Sequence, residues 1–236
     1  MITAESRPPP RRVFILSFAL IVAALVLTGF RGTLSNVLVA HDALTEPWFV
    51  YAHGVLLLTW ILLLVAQTAL VADHRVSLHR RLGRIAVVLI PLTSAFALVT
   101  ILWSTVHHYR ESRSDEVIVS LFGQLMSIVM FSSFAGAALL FQRRPIWHKR
   151  LVLFATLAIM DAAVGRISML SEVTDYVVSA LVLSIVAHDF LREGKLQPIT
   201  GLLGGILLGI NFTADFFGST TPWMSFGTWL VRRLPA

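Results

Sequence analysis

Long apolar runs separated by short polar segments, most of them basic, set the organisation of this 236-residue chain. A helix needs roughly 20 apolar residues to cross the hydrocarbon core of a bilayer. By that measure the pattern predicts membrane-spanning helices near 13–30, 50–72, 84–106, 117–141, 150–170, 175–191 and 198–217. The sixth run is short, and the seventh carries Gly201, Gly204, Gly205 and Gly209, small residues that let neighbouring helices approach closely. The expected architecture is an all-α polytopic membrane protein of about seven transmembrane helices. Residues 1–12 would be an N-terminal tail, 13–217 the seven-helix domain, and 218–236 a tail whose 223–230 stretch lies on the outer surface.

The polar segments sort by charge. Arg7, Arg11 and Arg12 fall on one side with Arg75, Arg80, Arg81 and Arg84, with Arg143, Arg144, Lys149 and Arg150, and with Arg192 and Lys195. The opposite segments are poorer in base or mixed: Arg31, Asp42 and Glu46; Arg110 to Glu116; Glu172 and Asp175. Cytoplasmic loops carry the excess of Lys and Arg, so the N-terminus is expected in the cytoplasm; Arg232 and Arg233 are the main mismatch. A basic stretch before the first run is a signal-peptide feature. The run is long, however, and no small-x-small cleavage site follows it, so an uncleaved first helix is expected.

Composition points the same way. Hydrophobic residues make up 56% of the chain and charged residues 14%, against about 25% charged in soluble domains. The formal net charge of +6 resides in the short loop clusters, which is a membrane pattern and not a nucleic-acid surface. There is no cysteine, which removes disulfides, iron–sulfur clusters and thiolate chemistry.

One internal similarity is visible. Residues 66–94 and 135–163 align without gaps, matching Arg75 with Arg144, His79 with His148, Arg81 with Arg150 and Leu82 with Leu151. In both copies a span ends, a basic loop follows, and a His-[Arg/Lys]-Arg-Leu step opens the next span. Running in the same direction, the copies would be parallel repeats about the membrane normal. The alternative is that two apolar helix–basic loop–helix units simply look alike.

Candidate chemistry lies in the polar residues of the spans. His53, Trp60 and Gln67 recur every seven residues in the second span, followed by His74. A straight helix drifts only about 20° per heptad, so they form one stripe, and lipid offers such a stripe no hydrogen-bond partner. His79 and His148, at the inner ends of the third and fifth spans, are placed for axial ligation of one haem; as interfacial anchors of helix starts they would need no ligand. His41, His107 and His108 are on the outer side, where His53 with His107 or His108 would be a second, weaker pair. His188 and Asp189 close the sixth span and are expected to be solvated.

Asp161 falls about ten residues from either end of the fifth span. A carboxylate there costs about 2.5–3.5 kcal/mol on insertion scales and is a functional candidate by default. Arg166 is about 140° around the helix from it. Ser120, Gln124 and Ser127 on the fourth span are alternative partners, and a protonated, purely structural Asp161 is the plain alternative. Asn211 and Asp215 would complete a polar pocket in the outer half. No span carries a lysine, which excludes a retinal Schiff base, and the phosphate-loop, zinc-protease and nucleophile-elbow motifs are all missing.

The pattern His53-x6-Trp60-x6-Gln67, Arg75-x3-His79-Arg80-Arg81-Leu82-Gly83, Arg144-x3-His148-Lys149-Arg150-Leu151 and His188-Asp189-Phe190-Leu191 resembles a widespread group of bacterial seven-helix membrane proteins without an established activity. That resemblance covers about 50 to 200 and implies the bacterial cytoplasmic membrane. The step Ser77-Leu78-His79-Arg80-Arg81-Leu82-Gly83 is also similar to one that opens helices in transmembrane di-haem cytochromes b, where the matching histidine ligates haem. The chain lacks that family's close-set second histidine, and haem A synthase opens helices with a similar His-Arg-x-x-Gly step. The resemblance implies haem ligation by His79; with His148, placed beside it by its helix start, the expectation is a b-type haem with a membrane redox partner or quinone. Two other readings stand beside it. A transporter, sensor or small-ligand binder would use Asp161, Arg166 and the second-span stripe; an accessory subunit would use neither.

Overall fold

A computed structural model describes residues 11–35 and 46–234. Among them the chain is helical, in the order α1 (Arg11–Gly29), α2 (Arg31–Ser35), α3 (Trp48–Ala72), α4 (Val76–Gly83), α5 (Ala86–Ser112) and α6 (Asp115–Leu140). Then follow α7 (Pro145–Leu157), α8 (Asp161–Val164), α9 (Thr174–Glu193), α10 (Pro198–Gly218) and α11 (Thr221–Arg233). Residues 1–10 of the expected N-terminal tail, and His41, lie outside the described residues. Five helices are long and apolar enough to cross a membrane: α3, α5, α6, the stretch Ser171–Arg192 that contains α9, and α10. Within α1 the shorter stretch Val13–Gly29 is apolar.

Local sequence accounts for several of the boundaries. Ser114 caps α6 by accepting the Glu116 amide, and Asp115 and Glu116 place acid in its first turn, where the helix dipole favours it. Pro145 and Pro198 open α7 and α10, where a missing amide costs no helical bond. Gly194, at φ +66°, ends α9 in the left-handed conformation that glycine adopts without strain.

The fifth span departs from expectation. A continuous helix over 150–170 is replaced by α7, a turn at 158–160, the short α8 and a 3-10 turn at Ser171–Val173. The ladder tightens first: Ile159 bonds to Thr156 and Met160 to Leu157, three residues back instead of four. The amides of Asp161 and Ala162 then meet no backbone carbonyl among the described residues. Neither Pro nor Gly stands between 157 and 161. Packing is tightest just beyond, where a Cβ at Gly29 of α1 would land on the Ala163 carbonyl.

α7 is the centre of the bundle. Every residue from Leu153 to Leu157 is buried, as are Arg150 and Leu151, and a helix apolar on all sides belongs inside. α6, α9 and α10 pack against it, and α3 packs on α1 and α5. The expected C-terminal tail is instead a docked helix. In α11 the Trp223 indole donates to the Ile118 carbonyl at 2.9 Å, and Arg110 of α5 donates to the Leu234 carbonyl at 3.0 Å. Val231 joins Val106 and Ile118 in a small core of its own.

Candidate functional site

The basic segments meet at one end of the bundle. The α4 and α7 starts bring His79 and His148 together, with ring centres 6.4 Å apart and planes at 86°. Phe14 of α1 stacks on His188 of α9 at 4.1 Å. Arg75 and Arg144 hold the same position before their helices, and the amides of His79 and His148 bond back to them at 3.0 and 2.9 Å.

One of the two histidines has a side fixed by a hydrogen bond. His148 Nδ1 donates to the Ala138 carbonyl at 2.8 Å, which leaves Nε2 with its lone pair. His79 lies beside the Gln67 backbone, and its Nδ1 is buried without a partner among the described residues. Burial holds the His79 pKa below the usual imidazole value, His148 and Arg80 push it the same way, and the Gln67 backbone opposes them. The Gln67 amide completes the wall: its oxygen is buried and unpartnered, and its nitrogen faces Gly83. Beside this cluster an apolar groove of about 510 Å³ runs between α3 and α4, lined by Ala66, Ala69, Leu70, Leu78 and Leu82.

Asp189 and His188 are not solvated as the sequence suggested. Asp189 is fully buried; it is ion-paired with the buried Arg150, and its second oxygen accepts the Gln197 amide at 3.4 Å. By sequence Arg150 is one of the basic-side residues and the repeat-mate of Arg81, not one half of a buried pair. A basic residue at a helix start and an acidic one at another helix end, both on the basic side, were the available signal.

The α3 stripe faces inward as its heptad spacing requires. At mid-length the buried Trp60 donates to Thr156 Oγ1 at 3.2 Å and meets Phe131 edge-on at 5.0 Å. Asp161 follows at the α7–α8 break. Its Oδ1 is buried with no partner among the described residues, as are His53 Nδ1 and Asn211 Nδ2. The expected partners of Asp161 are engaged elsewhere. Arg166 donates to the Ala162 carbonyl and lies 4.7 Å over the Phe30 ring. Gln124 donates to Ser120 at 3.4 Å, and Ser127 bonds back to Gly123 within α6, so neither reaches Asp161.

The outer histidines do not gather around His53. His107 stacks on Trp103 at 5.2 Å and pairs with Glu111, while His108 bonds to Ser104 at 3.0 Å. They are adjacent on one helix, and their rings meet edge-on with centres 6.0 Å apart. Among the described residues no three His, Cys, Asp or Glu side chains gather as a metal site. No family model, curated protein or solved structure matches this chain.

Proposed function

We propose that this chain is a multi-pass protein of the bacterial cytoplasmic membrane that holds a b-type haem between His79 and His148 and passes electrons within the membrane. The N-terminus and the basic end face the cytoplasm. α1 and the interrupted α7–α8 segment add two passes to the five uninterrupted helices, and the two His-bearing helix starts descend from a duplication. One observation carries the haem reading: two imidazoles from separate helices lie with ring centres 6.4 Å apart and planes near perpendicular, and one of them is tied through Nδ1 to a backbone carbonyl.

The spacing fits a metal centre. Two metal–nitrogen bonds of about 2 Å and the two ring radii together span about that distance. A bare ion would lack its remaining ligands, since no third ligating side chain gathers there, whereas haem brings its own ring nitrogens and asks the protein only for axial ones. The His148 hydrogen bond fixes tautomer and ring direction, as the outer bond of a metal-bound histidine does. Burial keeps His79 in the neutral form that ligates. When bound, haem supplies one-electron exchange. The geometry gives no matching support to an outer haem at His53 and His108.

The test is the absorption spectrum of detergent-purified protein expressed with ample haem, oxidised and then reduced with dithionite. Sharp reduced bands are expected, lost in His79→Ala and in His148→Ala and retained in Asp161→Asn. A colourless protein that is folded and monodisperse overturns the proposal.

A further inference from the structure

The C-terminal helix α11 lies across the end of the bundle away from His79 and His148. Trp223, near its start, meets Ile118, three residues after α6 begins at Asp115. Leu234, just past its end, meets Arg110, two residues before α5 ends at Ser112. Its 13 residues span about 20 Å, so a helix that dived into the bundle could not keep both ends at this level. Trp223, Gly227 and Val231, four apart, form the docked face: a Cβ at Gly227 would land on Ile118, and Val231 is buried.

The two flanks of α11 differ. Phe226 and Trp229, 45% and 54% exposed, stack with ring centres 6.1 Å apart. Phe226 also meets Trp223, which meets Phe122, and Phe122 stacks on Phe217 of α10. Such a row of rings at the ends of membrane-spanning helices is the aromatic belt of a membrane–water interface. Along the other flank a groove of about 510 Å³ opens between α11 and the start of α6. Its lining includes Asp115, Ser225, Thr228, Trp229, Arg232 and Arg233. Ser225, Thr228 and Arg232 are three, four and seven residues apart and share one stripe.

The polar groups of this groove are uncommitted. Helical hydroxyls can bond back to a carbonyl one turn earlier, as Thr213 does to Gly209. Among the described residues the Ser225 and Thr228 hydroxyls make no such bond, and neither arginine pairs with Asp115 or another carboxylate. The dipole of α11 favours arginine in its last turn, but it calls for neither the hydroxyls nor the carboxylate.

Two guanidinium groups and two hydroxyls offer donors to an anion, and one carboxylate offers an acceptor to a cation. Both signs of charge in one groove, at headgroup depth, match a headgroup that is itself dipolar. We propose that the groove holds a phospholipid whose phosphate diester carries a primary ammonium. The arginines and hydroxyls donate to the phosphate oxygens, and Asp115 accepts from the ammonium. A quaternary ammonium cannot donate that bond, and a glycerol headgroup lacks the charge. The site depends neither on the haem reading nor on which end faces the cytoplasm.

The test is native mass spectrometry of the detergent-purified chain with three phospholipids of identical acyl chains, bearing ethanolamine, choline or glycerol headgroups. The ethanolamine lipid should bind about tenfold tighter than the other two, through its one additional charge-assisted bond. Asp115→Asn should erase that preference, and Arg232→Gln with Arg233→Gln should weaken all three lipids alike. Because the ratio between headgroups is read on one sample, a general loss of stability does not imitate the Asp115→Asn result. Equal binding of the three lipids, a preference for the glycerol one, or a preference that survives Asp115→Asn overturns the proposal. Glycerophosphoethanolamine, the same headgroup without chains, should not displace the lipid at equal concentration; displacement overturns a lipid as the occupant.

Discussion

Arg75-x3-His79-Arg80-Arg81-Leu82 and Arg144-x3-His148-Lys149-Arg150-Leu151 begin two helices in nearly the same residues. In both, the histidine amide bonds back to the leading arginine. The first helix, α4, stops at Gly83, and Arg81 stays exposed before the chain bends into α5. The second, α7, runs straight into the core, and Arg150 is buried against Asp189. The histidines keep equivalent places and meet; the arginines do not. What the two segments share is a helix start that brings the histidines together, and what separates them is packing, decided by whether α9 offers a carboxylate.

Breaking that difference at its strongest point gives the largest expected effect. Arg150→Ala leaves Asp189 buried without its countercharge and should destabilise the protein by about 3–5 kcal/mol, as removal of one partner of a buried pair does. Arg81→Ala should leave the thermal midpoint in detergent where it is. The double variant Arg150→Met with Asp189→Leu should recover most of the loss, because two apolar side chains of similar volume replace both charges. If Arg150→Ala and Arg81→Ala behave alike, the two copies do not differ in the way described.

A smaller effect should follow from making the first copy resemble the second. Gly83 stands where the second copy has Val152. A Cβ at Gly83 would meet the Gln67 amide nitrogen at 3.1 Å, close, but against the end of a flexible side chain. Gly83→Ala should thus gain about 0.5–1 kcal/mol from reduced backbone freedom in the unfolded chain and better helix propensity. A loss in the unfolding midpoint would mean that Gln67 is held rigidly against α4.

The contrast also shows what a single chain reveals of its own fold. Five of the expected spans are uninterrupted helices because each carries enough apolar residues in one run, and the heptad His53–Trp60–Gln67 faces inward because one side of a membrane helix must. The meeting of His79 with His148 was legible too, since both open helices at the same end. The break at Ala158–Met160 was not: no Pro or Gly marks it, and its closest packing comes from Gly29, more than a hundred residues away in sequence. The Arg150–Asp189 pair was equally hidden. Each residue alone reads as part of a solvated basic loop, and only the packing of α7 on α9 buries them. Gln124, an expected alternative partner for Asp161, is exposed, and its amide turns to Ser120 instead.

The smallest expected effect is a pH dependence carried by His79. His79 has its pKa lowered by burial first and then by His148 and Arg80. In the unfolded chain it would titrate near the ordinary value of about 6.5. Between that value and its lower folded value the unfolded chain binds more protons than the native protein, so stability rises with pH across this window. The contribution is fully present above about 6.5 and is lost as pH falls through the folded value. Apoprotein unfolding midpoints followed from pH 7.5 down to 4.5 should therefore decline on the acid side, and His79→Gln should flatten the part of that decline just below the ordinary imidazole value. An unchanged profile in His79→Gln would mean that His79 titrates in the native protein as it does in the unfolded chain, and the neutral His79 that the ligand pair requires would lose its support.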